Sequence, residues 1–470
     1  MAKEAQSFLD TEPEKEEKII QEAKENLEKE KTMKLSIKEG AASSVMSGAG
    51  DSYITPFAIA LNANNAQLGF LGSLSGFLGP LSQIGGSRLM EKYPRKKIFF
   101  IGAFLQASMW IPILLLAILM NKNILSSYLP YFLIVFYSIY AIFGSIGGPA
   151  WFSLLGDIVP EKIRGKYFGK RNTTSAIVAL VVTLGAAFLL DYFKTKGILL
   201  ICFSILFGIA AIAKFVSSAL LRRHYDPKLK LNDGYYFSFF QFLKKAPKNN
   251  FGKFTIFTFF FYFAVQISSP FFSVYMLKNL GFDYLTYTLV NVAQSLVSLL
   301  TFSFWGKFSD KYGNLRALKI CSFILPFVPV AWIFSRSPVY LILVPQLISG
   351  IAWAGFNLSA SNFIYDTVTP VRRGICVAYF NLMNGIGIFI GGIIGGIIAY
   401  SISISFMNIL LFTFLISGVL RLAVSIIFLP MIKEVKIVKK FEVSQIRPLH
   451  IFKGIFFEII NGTTFKKKKR

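Results

Sequence analysis

The sequence predicts an all-α membrane protein of twelve transmembrane helices arranged as two six-helix repeats, and three observations predict it. The 470 residues are 54% apolar and only 16% charged, with a mean hydropathy of +0.56, outside the balance of a chain that folds in water. The apolar residues gather in twelve blocks of about 20 or more, the length a helix needs to cross a hydrocarbon core of roughly 30 Å. Features of the first six blocks then return in the last six. Backbone in lipid must satisfy its own hydrogen bonds, and blocks this long do so as helices rather than as the alternating strands of a barrel.

Taken in order, residues 1–34 are rich in Glu and Lys with few apolar positions, such as Ile19, Ile20 and Leu27. They read as a charged cytoplasmic segment able to form a solvated helix through pairs four residues apart, and not as a cleavable signal. The N-terminal half, 35–221, holds blocks at 37–61, 67–90, 97–120, 128–158, 172–193 and 197–221. The linker, 222–250, is polar and basic. Its aromatic run Tyr235-Tyr236-Phe237-Ser238-Phe239-Phe240 suits a short helix lying in the membrane interface. The C-terminal half, 251–430, holds blocks at 251–277, 284–307, 316–335, 338–367, 374–402 and 405–430. A basic cytoplasmic tail, 431–470, ends in Lys466-Lys467-Lys468-Lys469-Arg470, a run that either docks on anionic headgroups or stays solvated.

The formal charge of +26 does not indicate nucleic acid, because its distribution follows the membrane. Lys and Arg crowd alternate loops, as in Lys92, Arg95, Lys96, Lys97, Lys170, Arg171, Lys307, Lys311, Arg372 and Arg373, while the opposite loops hold only Lys122, Lys194, Lys196, Lys278 and Arg336. This positive-inside bias orients a multi-pass protein of the cell membrane with both termini in the cytoplasm. Cys202, Cys321 and Cys376 fall in or at the ends of spans, where no disulfide framework is expected, and His224 and His450 are too isolated to build a metal site.

The repeat is carried by named residues. Ser52-Tyr53-Ile54-Thr55-Pro56-Phe57 in the first span returns as Gln266-Ile267-Ser268-Ser269-Pro270-Phe271 in the seventh. The loop after the second span, Ser87-Arg88-Leu89-Met90-Glu91-Lys92-Tyr93-Pro94-Arg95-Lys96, returns after the eighth as Gly306-Lys307-Phe308-Ser309-Asp310-Lys311-Tyr312-Gly313-Asn314-Leu315-Arg316. Asp157 with Arg164-Gly165 returns as Asp366 with Arg373-Gly374, and Lys214 of the sixth span matches Arg421 of the twelfth.

On these residues the sequence resembles the major facilitator superfamily across nearly all of 37–430. That family's loop after the second span reads G-x-L-x-D-R-x-G-R-R/K. Gly306, Asp310, Lys311, Gly313 and Arg316 match it with one extra residue before the arginine; the first copy is degenerate, with Ser87, Glu91 and Pro94 in place of glycine, aspartate and the second glycine. The family's acid-x6-Arg motif matches twice, as Asp157/Arg164 and Asp366/Arg373. The resemblance implies the major facilitator fold and a latch at the cytoplasmic helix ends, formed when that side closes and lost when it opens. The latch candidates are Glu91, Arg95, Asp157, Arg164, Lys214, Asp310, Arg316, Asp366, Arg373 and Arg421. The alternative is that these charges cap and anchor helix ends.

Asp51 is the most informative residue. A carboxylate deep inside an apolar span must face a cavity or a partner, and three roles stay open: proton or cation coupling, direct substrate contact, and a structural hydrogen bond. Ser44, Ser47 and Thr55 share its helical face, and Tyr262, Gln266, Ser269 and Ser273 form the equivalent neutral stripe on the seventh span. Asn291 and Gln294 of the eighth span, Gln346, Trp353 and Asn357 of the tenth, and Asn384 of the eleventh are further cavity candidates, with hydrogen bonding between helices as their alternative. Gly385, Gly387, Gly391, Gly392, Gly395 and Gly396 permit close helix contact in the eleventh span.

The expectation is therefore a secondary transporter that moves a small solute by alternating access, coupled to protons through Asp51 and working as a monomer in the lipid bilayer. A receptor or scaffold on the same fold, and an uncoupled facilitator, are the alternatives. No Walker loop, G-x-S-x-G elbow or His-rich cluster suggests an enzyme, and no cofactor is called for.

Overall fold

A computed structural model describes residues 11–227, 237–369, 372–401 and 405–435 of the chain, and these residues form helices joined by short turns. Ten of the described helices are long and apolar enough to cross a membrane on their own, from Arg95–Asn121 to Ile409–Met431. The second span, Asn65–Leu89, is diluted by Gly and Ser. The first is the helix Thr11–Ala49, a turn at Asp51–Tyr53, and a second helix Ile54–Ala60. We call the end bearing the turns at 90–94, 159–160 and 368–369 the basic end, and the other the far end.

Two elements run longer than their apolar blocks. The 39-residue helix Thr11–Ala49 is about 58 Å long at about 1.5 Å per residue, so the charged segment is one continuous rod with the first span. Ion pairs Lys31–Glu28 and Lys34–Glu30, both 2.8 Å, lie along it, and Ile19, Ile20 and Leu27 are exposed. The fifth span likewise begins at Glu161 rather than 172. In both, good helix formers carry the helix on through solvent after the apolar requirement ends.

Proline shapes the other departures from straight helices. The seventh span changes course at Ser269–Pro270 and finishes in a π turn at Tyr275–Asn279, and the tenth carries Pro345 inside the π turn Ile342–Gln346. In each the ring removes a backbone donor and breaks the regular ladder. The linker contributes a short helix, Phe239–Lys245, whose N-terminus is closed by reciprocal bonds between Ser238 and Gln241. Phe242 of this helix is buried in the second half, whereas Phe240 is exposed. Tyr235 and Tyr236, the start of the aromatic run, and the tail from 436 onward lie outside the described residues.

The halves meet along the second and eleventh spans, where glycine removes the side chains that would hold them apart. A Cβ on Gly392 would strike Ser73 and one on Gly385 would lie 3.0 Å from the Gly76 carbonyl. On a neighbouring face, Gly387, Gly391 and Gly395 pack against the carbonyls of Phe259, Phe263 and Ile267 of the seventh span. The eleventh span thus has two small-residue stripes, one for each half.

Two apolar cores result, and the first is built from both halves. The first joins Tyr53, Phe57, Trp110 and Phe207 to Phe271, Tyr275, Tyr284 and Phe414. The second holds Phe254, Phe257, Trp305 and Phe356 of the C-terminal half with Phe242 of the linker. Polar bonds between halves repeat this bias. At the far end the Asp191 carboxylate accepts from the backbone N–H groups of Tyr284 and Leu285, both at 2.8 Å, Lys278 donates to the Ala63 carbonyl at 3.0 Å, and Asn65 to the Ala399 carbonyl at 3.0 Å. The Tyr53 and Thr288 hydroxyls lie 3.0 Å apart between the first and eighth spans. Nearer the basic end, Asn381 donates to Gln83 at 3.2 Å.

Candidate functional site

Asp51 follows directly on the break at Gly50, where the first span stops being a regular helix. Gly50 is required there: a Cβ would run into the Trp110 ring. The break exposes the Asp51 carboxylate to neighbours on two spans. Its Oδ1 accepts from the Tyr140 hydroxyl at 2.7 Å and its Oδ2 from Ser47 at 3.1 Å, and the group is half-buried rather than sealed. Tyr137 stacks on Tyr140 with ring centroids 5.2 Å apart. Ser44 instead bonds the Gly40 carbonyl of its own helix, and Thr55 lies beyond the break, so the expected stripe through Ser44 and Thr55 does not form as a single polar face.

The stripe that does form is Glu39, Ser43, Ser47 and Asp51, one residue in every four. Glu39 is buried and pairs with Arg171 of the fifth span at 3.0 Å, while Ser217 of the sixth donates to it at 3.1 Å. Lys214 donates to Ser43 at 3.4 Å, and its charge acts on both Glu39 and Asp51. Lys214 therefore stands in the interior on the stripe that ends in Asp51, and not in the Asp157 cluster. Arg421, its repeat, is also interior: it donates to Ser417 at 3.1 Å, Ser268 at 2.9 Å, and the carbonyls of Leu325 and Val265. Pro329, four residues after Leu325, has no N–H to offer that carbonyl, so the guanidinium takes the missing donor's place. Neither cation joins the helix-end charges with which the repeat had grouped it.

Across the bundle Tyr262 and Trp353 stack with centroids 6.2 Å apart, and Gln266 comes against Gly72 of the second span. Asn357 and Ser269 are exposed, Gln294 is half-buried, and Gln346 is buried in its π turn. Asn291 bonds the Tyr287 carbonyl of its own helix. Asn384 is buried with its carbonyl oxygen unpartnered.

At the basic end Arg95, 2% exposed, donates to Asp157 at 2.6 Å, to Ser153 at 2.9 Å, to Asp226 at 3.2 Å and to the Pro227 carbonyl at 2.7 Å. Asp226 also accepts from the Lys96 N–H at 2.9 Å. In the second half Asn314 donates to Asp366 at 2.6 Å, and Glu434 accepts from the Leu315 N–H at 2.8 Å. Asp226 and Glu434, each just beyond the last span of its half, are a matched pair that cap the third and ninth spans. Sequence reading missed them because an acid in a polar segment carries no signal of its own. The bonds described around Arg95 lie within the first half and its linker, and those around Asp366 within the second; they do not bridge the halves as the latch expectation had it. Arg373 lies over the Tyr365 ring at 4.6 Å, Glu91 is exposed, and the Arg164 side chain lies outside the described residues. Asp310 and Arg316, the remaining latch candidates, stand at the turn between the eighth and ninth spans.

His224 sits just past the sixth span, buried, with neither ring nitrogen partnered among the described residues. Burial pushes its pKa down to about 4, helped by the charges of Arg171 and Lys96.

The solved structures that share this arrangement are transporters. The nucleoside transporter NupG is 17% identical with a TM-score of 0.61, covering 85% of this chain and 98% of its own. The D-xylose-proton symporter is 14% identical with a TM-score of 0.64, covering 87% and 98%. A bacterial homolog of the human lysosomal transporter Spinster, in an inward-facing and unoccupied conformation, is 14% identical with a TM-score of 0.56, covering 87% and 99%. The sequence matches no curated protein. The family model described as Major Facilitator Superfamily matches residues 40–249 and again 254–461, one match to each six-span half. Two consecutive matches that take in all twelve spans, on a bundle of this architecture, place the chain in the Major Facilitator Superfamily.

Proposed function

We propose that the protein is a secondary transporter that carries a small solute across the cell membrane by alternating access and is coupled to protons through Asp51. The observation that carries this reading is Asp51 itself: a half-buried carboxylate at a helix break, presented to the bundle interior and held by Tyr140 and Ser47. A carboxylate at that depth is costly to keep and suits proton exchange. The aromatic pairs Tyr137/Tyr140 and Tyr262/Trp353, with Gln266, offer stacking faces and amide bonds to a solute between the halves.

With the basic end in the cytoplasm, the described bonds between halves gather toward the far end, Asn381–Gln83 being the one nearer the basic end, and this bias favours an inward-facing state. In this reading the Arg95 and Asn314 clusters keep each half rigid while it rocks, and the halves engage one another at that end only when it closes. The monomer is the working unit. Membership of the family and the transporters among its structural neighbours favour transport over catalysis.

The test is solute flux into proteoliposomes under an imposed pH gradient, beginning with nucleosides and D-xylose, after two of the structural neighbours. Wild type should accumulate at least one solute against its gradient, and Asp51→Asn should reduce that accumulation at least tenfold while leaving exchange of the same solute measurable. Equal accumulation by both would remove Asp51 as the coupling residue; no flux over a broad panel would overturn the transporter reading.

A further inference from the structure

Glu39, Ser43, Ser47 and Asp51 share one face of the first span, so the two carboxylates stand about 18 Å apart along the axis at about 1.5 Å per residue. The stripe is continuous in polar side chains. Arg171 and Ser217 hold Glu39 at 3.0 and 3.1 Å, Lys214 reaches Ser43 at 3.4 Å, and Ser47 and Tyr140 hold Asp51 at 3.1 and 2.7 Å. The charged and titratable groups facing it are Glu39 and Asp51 of the first span, Tyr137 and Tyr140 of the fourth, Tyr167 and Arg171 of the fifth, and Lys214 of the sixth.

Lys214 is the member without a direct ion pair among the described residues: it is 8% exposed, its one described bond goes to a serine hydroxyl, and its charge acts on carboxylates to either side. Arg171 is spoken for by Glu39. A buried ammonium near two acids favours the ionised form of each in proportion to its proximity, and the charge of each acid opposes ionisation of the other.

We propose that Lys214 sets the pH at which Asp51 takes up its proton, and that Glu39 tempers it through its own opposing charge and its hold on Arg171. The inference rests on Asp51 being the proton site. Its content is a pair of opposed effects. Without the Lys214 charge, the Asp51 carboxylate loses the cation that acts on it and holds a proton to higher pH. Without the Glu39 charge, Lys214 and the released Arg171 act on Asp51 unopposed, and the proton is held only at lower pH. A purely structural role for either residue produces no such opposition.

The test needs no solute. The full chain in liposomes is titrated by infrared spectroscopy, following the carbonyl band of the protonated carboxyl group, and Asp51→Asn identifies its share of that band. Relative to wild type, Lys214→Gln should move the midpoint alkaline and Glu39→Gln acid, each by about one pH unit, with Lys214→Arg close to wild type. Unchanged midpoints, or shifts of both variants in one direction, overturn the proposal and leave Asp51 as the proton site. A wild-type titration that Asp51→Asn does not alter overturns the prior reading instead. Should Glu39→Gln fail to fold, the comparison of Lys214→Gln with Lys214→Arg decides.

Discussion

Asp51 owes its role to two neighbours that fix it from different spans. Gly50 ends the helix against Trp110, and Tyr140 reaches in from the fourth span to bond the carboxylate that the break uncovers. His224 presents the opposite case, a titratable side chain with no partner among the described residues. Its folded pKa of about 4 lies below the ordinary 6.5, so between those values the unfolded chain binds the extra proton and stability falls as pH drops through that window. His224→Phe should flatten this acid loss, worth up to about 3 kcal/mol, and thermal melts at pH 7 and pH 4.5 check it: wild type should lose more than the variant. Arg421 makes a third residue-level case. Arg421→Ala removes the donor to two carbonyls and two serines in the second half, and unfolding in detergent should show a loss of roughly 2 kcal/mol.

Among elements, the eleventh span is the one on which the halves depend. A methyl group on Gly391 would meet the Phe263 carbonyl, whereas one on Gly185 in the fifth span meets nothing within 4 Å. Gly391→Ala should therefore destabilise the bundle by about 1–3 kcal/mol and Gly185→Ala should melt like wild type, a comparison that controls for the substitution itself. The glycine run was legible in the sequence as a close-contact surface. Its division between the second and seventh spans was not, because that depends on which helices flank it. The same limit explains Lys214 and Arg421. A cation two turns from a helix end reads as one that reaches back to the interface, and only the placement of the first, seventh and ninth spans shows each has partners inside. Glu39 was hidden differently: it opens its apolar block directly behind a Glu/Lys-rich run, where one more acid draws no notice.

At the scale of the whole molecule, the twelve spans and their repeat were legible because block length and loop charge are properties of the chain alone. The state of the bundle was not, since it depends on which end carries the bonds between halves. Asp191 is central to those bonds, capping the start of the eighth span from the fifth. Asp191→Ala leaves two N–H groups at a helix start without their acceptor, a loss of about 1 kcal/mol borne only when the far end is closed, enough to shift the population about fivefold. Spin labels at Lys122→Cys and Ser337→Cys span the far end, labels at Lys92→Cys and Lys311→Cys span the basic end, and the native cysteines are buried. Distance distributions for both pairs, in wild type and in Asp191→Ala, test the alternating-access account most directly. It predicts that the variant gains a population with a longer far-end distance and a shorter basic-end distance together; a far end that opens while the basic end stays unchanged would contradict it.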